Sequence, residues 1–232
     1  MQAVLRRAWG RLGRPEWLRV DNGHPWGGTG GLPTGLELWA AGLHVRLTRN
    51  RARRPQENGV VERSQGTADR WAGPATCRDA QELQRRLEAE DRVQRQEYPA
   101  LAGRTRLESY PGLLHSGRGY ALGWERVGWD LEAALACLAR RAVRRKVSRE
   151  GKVSLYDRGV MVGREYAGQE VWVRLEATTR EWLVSAPAGP ELRRRPAVGL
   201  DQDDIVNLRV SRPRSNRAVG QPEPVQGGQT YG

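Results

Sequence analysis

Residues 17 to 47 read WLRVDNGHPWGGTGGLPTGLELWAAGLHVRL, and the beginning of this stretch predicts a short strand. Trp17-Leu18-Arg19-Val20 has the apolar, β-branched and aromatic composition of a strand, and Asp21-Asn22-Gly23 is a turn sequence that ends it. Asp21 is therefore expected at the carboxyl end of this strand.

The rest of the stretch predicts a helix and a second strand. Apolar residues recur at helical spacing at Leu36, Trp39, Ala40 and Leu43, and Val45-Arg46-Leu47 alternates as a strand does. A helix between two strands is typical of a parallel α/β layer. Two short strands are too few for a stable sheet of this kind, so the pattern indicates that part of the layer is missing.

Helical and strand patterns outside this stretch divide the rest of the chain. Apolar residues recur at helical spacing over residues 2 to 12 and 129 to 142, and the highly charged segment 79 to 97 is helical in propensity. From about residue 151 the period changes, and several short strand candidates separated by turn sequences predict a small all-β barrel or sandwich. Beyond about residue 211 almost nothing is apolar, which predicts a disordered basic tail.

Composition favours a polyanionic partner. The 232 residues carry a net charge of +12, with 39 basic against 27 acidic side chains. A field of this sign and size attracts nucleic acid, and no basic amphipathic helix points instead to a membrane. No apolar stretch has the length of a signal peptide or a transmembrane helix, so we expect a cytoplasmic protein. The two cysteines and three histidines have no zinc-site spacing.

Two motifs carry a family resemblance. Asp21 lies in Arg19-Val20-Asp21-Asn22-Gly23, and Glu62 lies in Arg54-Pro55-Gln56-Glu57-Asn58-Gly59-Val60-Val61-Glu62-Arg63. Together they resemble the second aspartate and the final glutamate of the catalytic core shared by retroviral integrases and bacterial insertion-sequence transposases of the DDE type. Taken singly, a turn aspartate and an acidic residue in a first helical turn are common in any α/β protein.

The resemblance implies metal-dependent polynucleotidyl transfer with Asp21 and Glu62 as catalytic residues and metal ligands. That chemistry uses two Mg²⁺ or Mn²⁺ ions about 3.5 to 4 Å apart, one activating the attacking hydroxyl and one stabilising the leaving oxygen. Such hard cations prefer oxygen ligands, which explains the carboxylates.

The same resemblance implies DNA-binding roles. Gln56 and Asn58, in the loop that the resemblance assigns to DNA processing, are expected to contact phosphate or an end base. Two basic clusters flank that loop and the predicted barrel, and phosphate contact is favoured over a merely solvated face. The clusters span residues 49 to 54 and 140 to 152, and the arginines and lysine singled out for DNA binding are Arg49, Arg51, Arg53, Arg54, Arg63, Arg144, Arg145 and Lys146.

The sequence departs from the family in one respect that matters for activity. The family has a further aspartate on the first strand of its RNase-H-like sheet, whereas no aspartate precedes Asp21 and the nearby Glu16 lies on the same strand. We therefore expect an N-terminally truncated transposase or integrase that binds DNA and is inactive alone. The alternatives are a non-catalytic DNA-binding inhibitor or partner of a full-length transposase, and a decayed reading frame.

The predicted fold class is α/β. The expected organisation is an incomplete RNase-H-like integrase core over 1–75, a charged helical connector over 76–150, a small β-barrel like that of Mu-type transposases over 151–210, and the basic tail over 211–232. The expected partners are transposon-end and target DNA, with a homo-oligomer or the full-length transposase. In a bacterial cell such a protein would be nucleoid-associated when bound to DNA.

Overall fold

A computed structural model describes residues 1–23, 25–27, 31–51, 59–187 and 189–207, over which the chain is a mixed α/β protein. The tail prediction for 211–232 lies outside these residues. The described helices are α1 Gln2–Leu12, α2 Gly35–Gly42, α3 Gly59–Ala72, α4 Ala80–Gln96, α5 Arg106–Ser109, α6 Leu122–Gly128, α7 Leu131–Ala139 and α8 Gln202–Asn207.

The described strands form three separate open sheets. Their bounds are β1 Trp17–Val20, β2 Arg46–Arg49, β3 Ala142–Lys146, β4 Lys152–Leu155, β5 Arg158–Met161, β6 Glu170–Glu176, β7 Glu181–Ser185 and β8 Glu191–Pro196. β1 and β2 form a parallel pair, β4 and β5 form an antiparallel hairpin, and the largest sheet has the antiparallel order β3-β6-β7-β8.

The predicted strand, helix and parallel strand of residues 17 to 47 are confirmed. β1 and β2 pair in register from Trp17 with Arg46 to Val20 with Arg49, and α2 connects them. The Thr34 hydroxyl begins α2 by accepting a hydrogen bond from the Glu37 amide at 3.1 Å. Such a cap satisfies an amide that the helix itself leaves without a partner.

Helix α2 lies at the centre of the molecule. Leu38, Trp39 and Ala40 are fully buried, and the helix packs against α7 on one side and α8 on another. The same apolar cluster continues through α7 to the inner face of the large sheet. One core thus joins segments that the sequence pattern assigned to a truncated core, a connector and a barrel.

Strand β3 lies within the segment predicted as a helical connector. Val143 and Val147 are buried while Arg144 and Lys146 are exposed, which is the two-residue alternation of a half-buried strand. β3 pairs with β6, so the largest sheet begins before residue 151. The run of basic residues concealed this alternation in the sequence.

The described strands leave the large sheet open between β3 and β8. The described β4–β5 hairpin forms no ladder with this sheet, and Arg195 Nε of β8 donates to the Met161 carbonyl of the hairpin at 3.1 Å. Arg145 Nε makes a similar contact with the Ser154 carbonyl at 3.3 Å.

Among the described helices, none is both long and apolar enough to cross a bilayer.

Candidate functional site

Asp21 lies at the carboxyl end of β1, as predicted. The preceding Val20 is buried, whereas Asp21 is exposed and its Oδ1 accepts a hydrogen bond from the Gly23 amide at 3.2 Å. Asn22 Nδ2 donates to the Asn50 carbonyl at 2.8 Å, which ties this turn to the end of β2. The carboxylate is therefore held at the edge of the parallel pair where open α/β sheets bind their ligands.

Glu62 lies in the first turn of α3 and is exposed. Its helix packs against α4, and Ala72 at the end of the helix is buried. The predicted residues Gln56, Asn58, Arg53 and Arg54 precede this helix and lie outside the described residues. Convergence of Glu62 with Asp21 stays a prediction.

The donor types suit the metal that the resemblance implies. Carboxylate oxygens are the ligands that Mg²⁺ prefers, and both Asp21 and Glu62 supply them on exposed positions. Over the described part of the chain, no group of three or more His, Cys, Asp or Glu side chains is positioned to hold an ion. Asp21 and Glu62 thus have the type of ligand atom that a divalent cation prefers.

Arg49, predicted to bind DNA, forms an ion pair with the buried Glu37 of α2. Its guanidinium also donates to the Trp26 carbonyl at 2.8 Å. Arg141 approaches the same carboxylate at 3.9 Å. A buried carboxylate without a cation would be costly, so Arg49 stabilises the packing of α2 beside β2.

The predicted arginines of β3 lie on two different faces. Arg144 is exposed and pairs with Glu170 at 3.4 Å. Arg145 points toward the hairpin, and burial lowers the pKa of its guanidinium. Lys146, Arg63 and Arg51 are exposed.

The exposed face of the large sheet is balanced in charge. Arg144 lies opposite the part-exposed Trp172, an arrangement that would suit stacking and phosphate contact. Acidic residues on the same face offset the basic ones, however. In register order the charged residues of this face are Arg144, Lys146, Glu170, Arg174, Glu176, Glu181, Glu191 and Arg194.

A buried polar network beneath α1 was not predicted. Glu125 of α6 is 5% exposed and accepts hydrogen bonds from Arg6 at 2.6 and 3.0 Å, from Trp39 Nε1 at 2.8 Å, and from the Tyr120 hydroxyl. Trp9 stacks on Trp39 with ring centroids 5.0 Å apart. The contacts of Glu125 with Arg6 and Trp39 join residues 119 and 86 positions apart.

The network shifts two pKa values. Burial acts to raise the pKa of Glu125, but hydrogen bonds from Arg6, Tyr120 and Trp39 outweigh it and the pKa is lowered. Burial, followed by the hydrogen bond to Glu125, raises the pKa of Tyr120 to about 12. Glu125 is thus a paired structural anion at neutral pH rather than a proton donor.

A groove between β2 and α7 was also missed by sequence reasoning. Its arginines are Arg46, Arg118, Arg140 and Arg141. Arg140 and Arg141 belong to the predicted basic cluster of residues 140 to 152, but Arg46 and Arg118 lie in other segments, so the sequence alone did not bring the four together.

The family resemblance rests on the motifs around Asp21 and Glu62. No protein-family model matches this chain. Of the two motif residues, Asp21 lies at the end of a strand and Glu62 lies in the first turn of a helix. The catalytic and DNA-binding roles stay predictions.

Proposed function

We propose that this chain is a DNA-binding protein of the DDE transposase and integrase type. The observation that carries the proposal is the order of elements around Asp21. This residue follows a strand that pairs in parallel with the next one, and Glu62 lies in the first turn of the next described helix. The net charge of +12 supports a polyanionic partner.

In this proposal, Asp21 and Glu62 are two of the carboxylates that hold the divalent ions of the family. Bound Mg²⁺ or Mn²⁺ would polarise a phosphodiester and activate its attacking hydroxyl. The family uses three carboxylates, and the motifs of this chain match two. We therefore propose that the chain does not catalyse strand transfer by itself.

Nicking and strand transfer of supercoiled plasmid test this proposal. The purified chain is incubated with plasmid in Mg²⁺ or Mn²⁺, beside an Asp21→Asn, Glu62→Gln double variant and an EDTA control. We expect no metal-dependent product from either protein. Products that need the metal and disappear in the double variant would contradict the claim of inactivity and would assign both carboxylates to catalysis.

A thermal-shift titration separates metal binding from catalysis. If the two carboxylates share an ion, Mn²⁺ raises the melting temperature of the wild type and not that of the double variant, because only the folded site binds. An equal response of both proteins would remove Asp21 and Glu62 from the metal site.

One observation favours a partner role as a second candidate. Over the described strands, β1 and β2 form a sheet of only two members, and Trp17 on β1 is 56% exposed. An open strand edge can receive a strand from another chain. We infer that such pairing with a full-length transposase would make this chain a non-catalytic inhibitor or partner.

Light scattering after mixing with an intact transposase of this type tests the second candidate. A mixed oligomer that is lost on Trp17→Asp substitution would support it. Independent elution of the two proteins would reject it and leave the DNA-binding proposal untouched.

A further inference from the structure

The groove between β2 and α7 has a volume of about 710 Å³. Arg46 contributes from β2, Arg118 from the loop before α6, and Arg140 and Arg141 from the end of α7. Its charged lining also includes the carboxylates of Glu16 and Glu37.

Protein contacts fix the positions of two of these arginines. Arg118 donates to the carbonyls of Pro15 at 2.7 Å and His44 at 2.8 Å, which anchors it across β1 and β2. Arg46 is exposed, and its guanidinium carbon lies 5.1 Å from the centroid of the Trp17 ring. Stacking of this kind holds a guanidinium in place and leaves its N–H groups able to donate.

The other two arginines are open to solvent. Arg141 is half-exposed and lies 3.9 Å from Glu37. Arg140 is exposed, and its side chain has no hydrogen bond or ion pair within the described ranges. Cations that follow the end of a helix interact favourably with its negative pole, and this effect explains in part why Arg140 and Arg141 follow α7. That effect does not account for Arg46 and Arg118, which reach the groove from other elements.

The charge balance distinguishes this groove from the exposed face of the large sheet. Four guanidinium groups face two carboxylates here, and the charge of Glu37 is already compensated by its buried pair with Arg49. The sheet face, in contrast, carries equal numbers of basic and acidic residues. An excess of cations lining one concave surface concentrates a positive potential there.

We propose that this groove binds the phosphate backbone of DNA, with Arg46 and Arg140 as direct phosphate contacts. The inference rests on the proposed DNA-binding function and names a surface distinct from Asp21, Glu62 and the arginines of β3. Arginine suits the task because its planar fork donates to two phosphate oxygens at once. Contacts to the backbone carry no sequence information, so binding through the groove is nonspecific.

The test is a salt series of DNA binding by the full chain. Fluorescence anisotropy of a labelled duplex is measured in EDTA for the wild type and for an Arg46→Ala, Arg140→Ala variant. The matched control is Arg85→Ala, Arg92→Ala, which removes the same charge from exposed positions on α4. Because Arg140 has no described side-chain partner, Arg140→Glu alone gives a second variant that leaves packing unchanged.

The groove variant is expected to bind about tenfold more weakly at 0.1 M salt, and its plot of log K against log salt should be shallower by about 1.8. That slope corresponds to two lost phosphate contacts at about 0.9 each. Arg140→Glu should also weaken binding more than the α4 control does. If the wild type binds DNA while the groove variants behave like the control, the groove assignment is wrong and the proposed function survives. If the wild type does not bind DNA, the proposed function fails and the groove assignment with it.

Discussion

Replacing Glu125 with glutamine removes the charge at the centre of the buried network and keeps the side chain's shape. The carboxylate accepts four hydrogen bonds from Arg6, Trp39 and Tyr120. In glutamine, an amide nitrogen replaces one carboxylate oxygen and would face hydrogen-bond donors. The Arg6 guanidinium would also lose its anionic partner. Removing one member of a buried ion pair costs about 3 to 5 kcal/mol. Arg6 is 29% exposed, so water recovers part of this and we expect a loss of about 2 to 4 kcal/mol.

Urea unfolding at pH 7, followed by tryptophan fluorescence, measures this loss. In thermal unfolding of the same proteins, the expected fall in melting temperature is about 5 to 15 °C for a chain of this length. The matched control is Glu132→Gln, because Glu132 pairs with Arg180 at 2.8 Å but is 67% exposed. A surface pair of this kind contributes about 0 to 1 kcal/mol. Equal destabilisation by the two substitutions would refute the structural role of Glu125.

Three further predictions concern the network, the Arg49 pair and the core. The lowered pKa of Glu125 means that its stabilisation is fully present above the ordinary glutamate pKa and is lost as the pH falls through the lowered pKa of the folded state. Acid titration of unfolding should therefore bring wild type and Glu125→Gln together only below the ordinary glutamate pKa. Arg49→Ala should lower the free energy of unfolding by about 2 to 4 kcal/mol in denaturant unfolding, because it leaves the buried Glu37 without its main partner. A variant that is as stable as the wild type but binds DNA more weakly would contradict this and support Arg49 as a phosphate contact. Gly42→Ala should cost about 1 to 3 kcal/mol by the same measurement, since its Cβ would lie 2.2 Å from the Trp129 ring. The control is Gly66→Ala in α3, where a Cβ meets nothing within 4 Å, and it should stabilise the protein by up to about 1 kcal/mol. Similar changes in the free energy of unfolding for Gly42→Ala and Gly66→Ala would contradict the packing of Gly42 against Trp129.

Local patterns predicted the elements around Asp21 well. The turn after Val20 and the apolar stripe from Leu36 to Leu43 each depend on neighbours a few positions apart, and the structure has a strand and a helix there. The parallel pairing of β1 and β2 followed from the helix between them. The placement of Asp21 at a strand end was therefore available from the sequence alone.

The sequence did not reveal how the segments pack together. Helix α2 buries its residues against α7, almost 100 positions away, and α8 covers it from beyond residue 200. Division of the chain by composition places these packing partners in different segments. The strand β3 was missed for a related reason, because Arg144, Arg145 and Lys146 hide an alternation that only pairing with β6 makes visible.

Charge in the sequence indicated a nucleic-acid partner without indicating which arginines meet it. Arg49 lies in a conspicuous basic run, yet its guanidinium pairs with a buried glutamate. Arg46 and Arg118 have no such sequence context and meet in one groove. Distinguishing a phosphate ligand from a structural ion pair requires knowledge of which carboxylates lie nearby.

The central claim is that the chain binds DNA without a metal ion. The most direct measurement is equilibrium binding of the wild-type protein to a labelled duplex in EDTA, repeated over a range of salt concentrations. Binding is expected to persist in EDTA, and log K is expected to fall linearly with log salt, since released counterions supply the driving force. Absence of binding at low salt, or an affinity that does not change with salt, would contradict it.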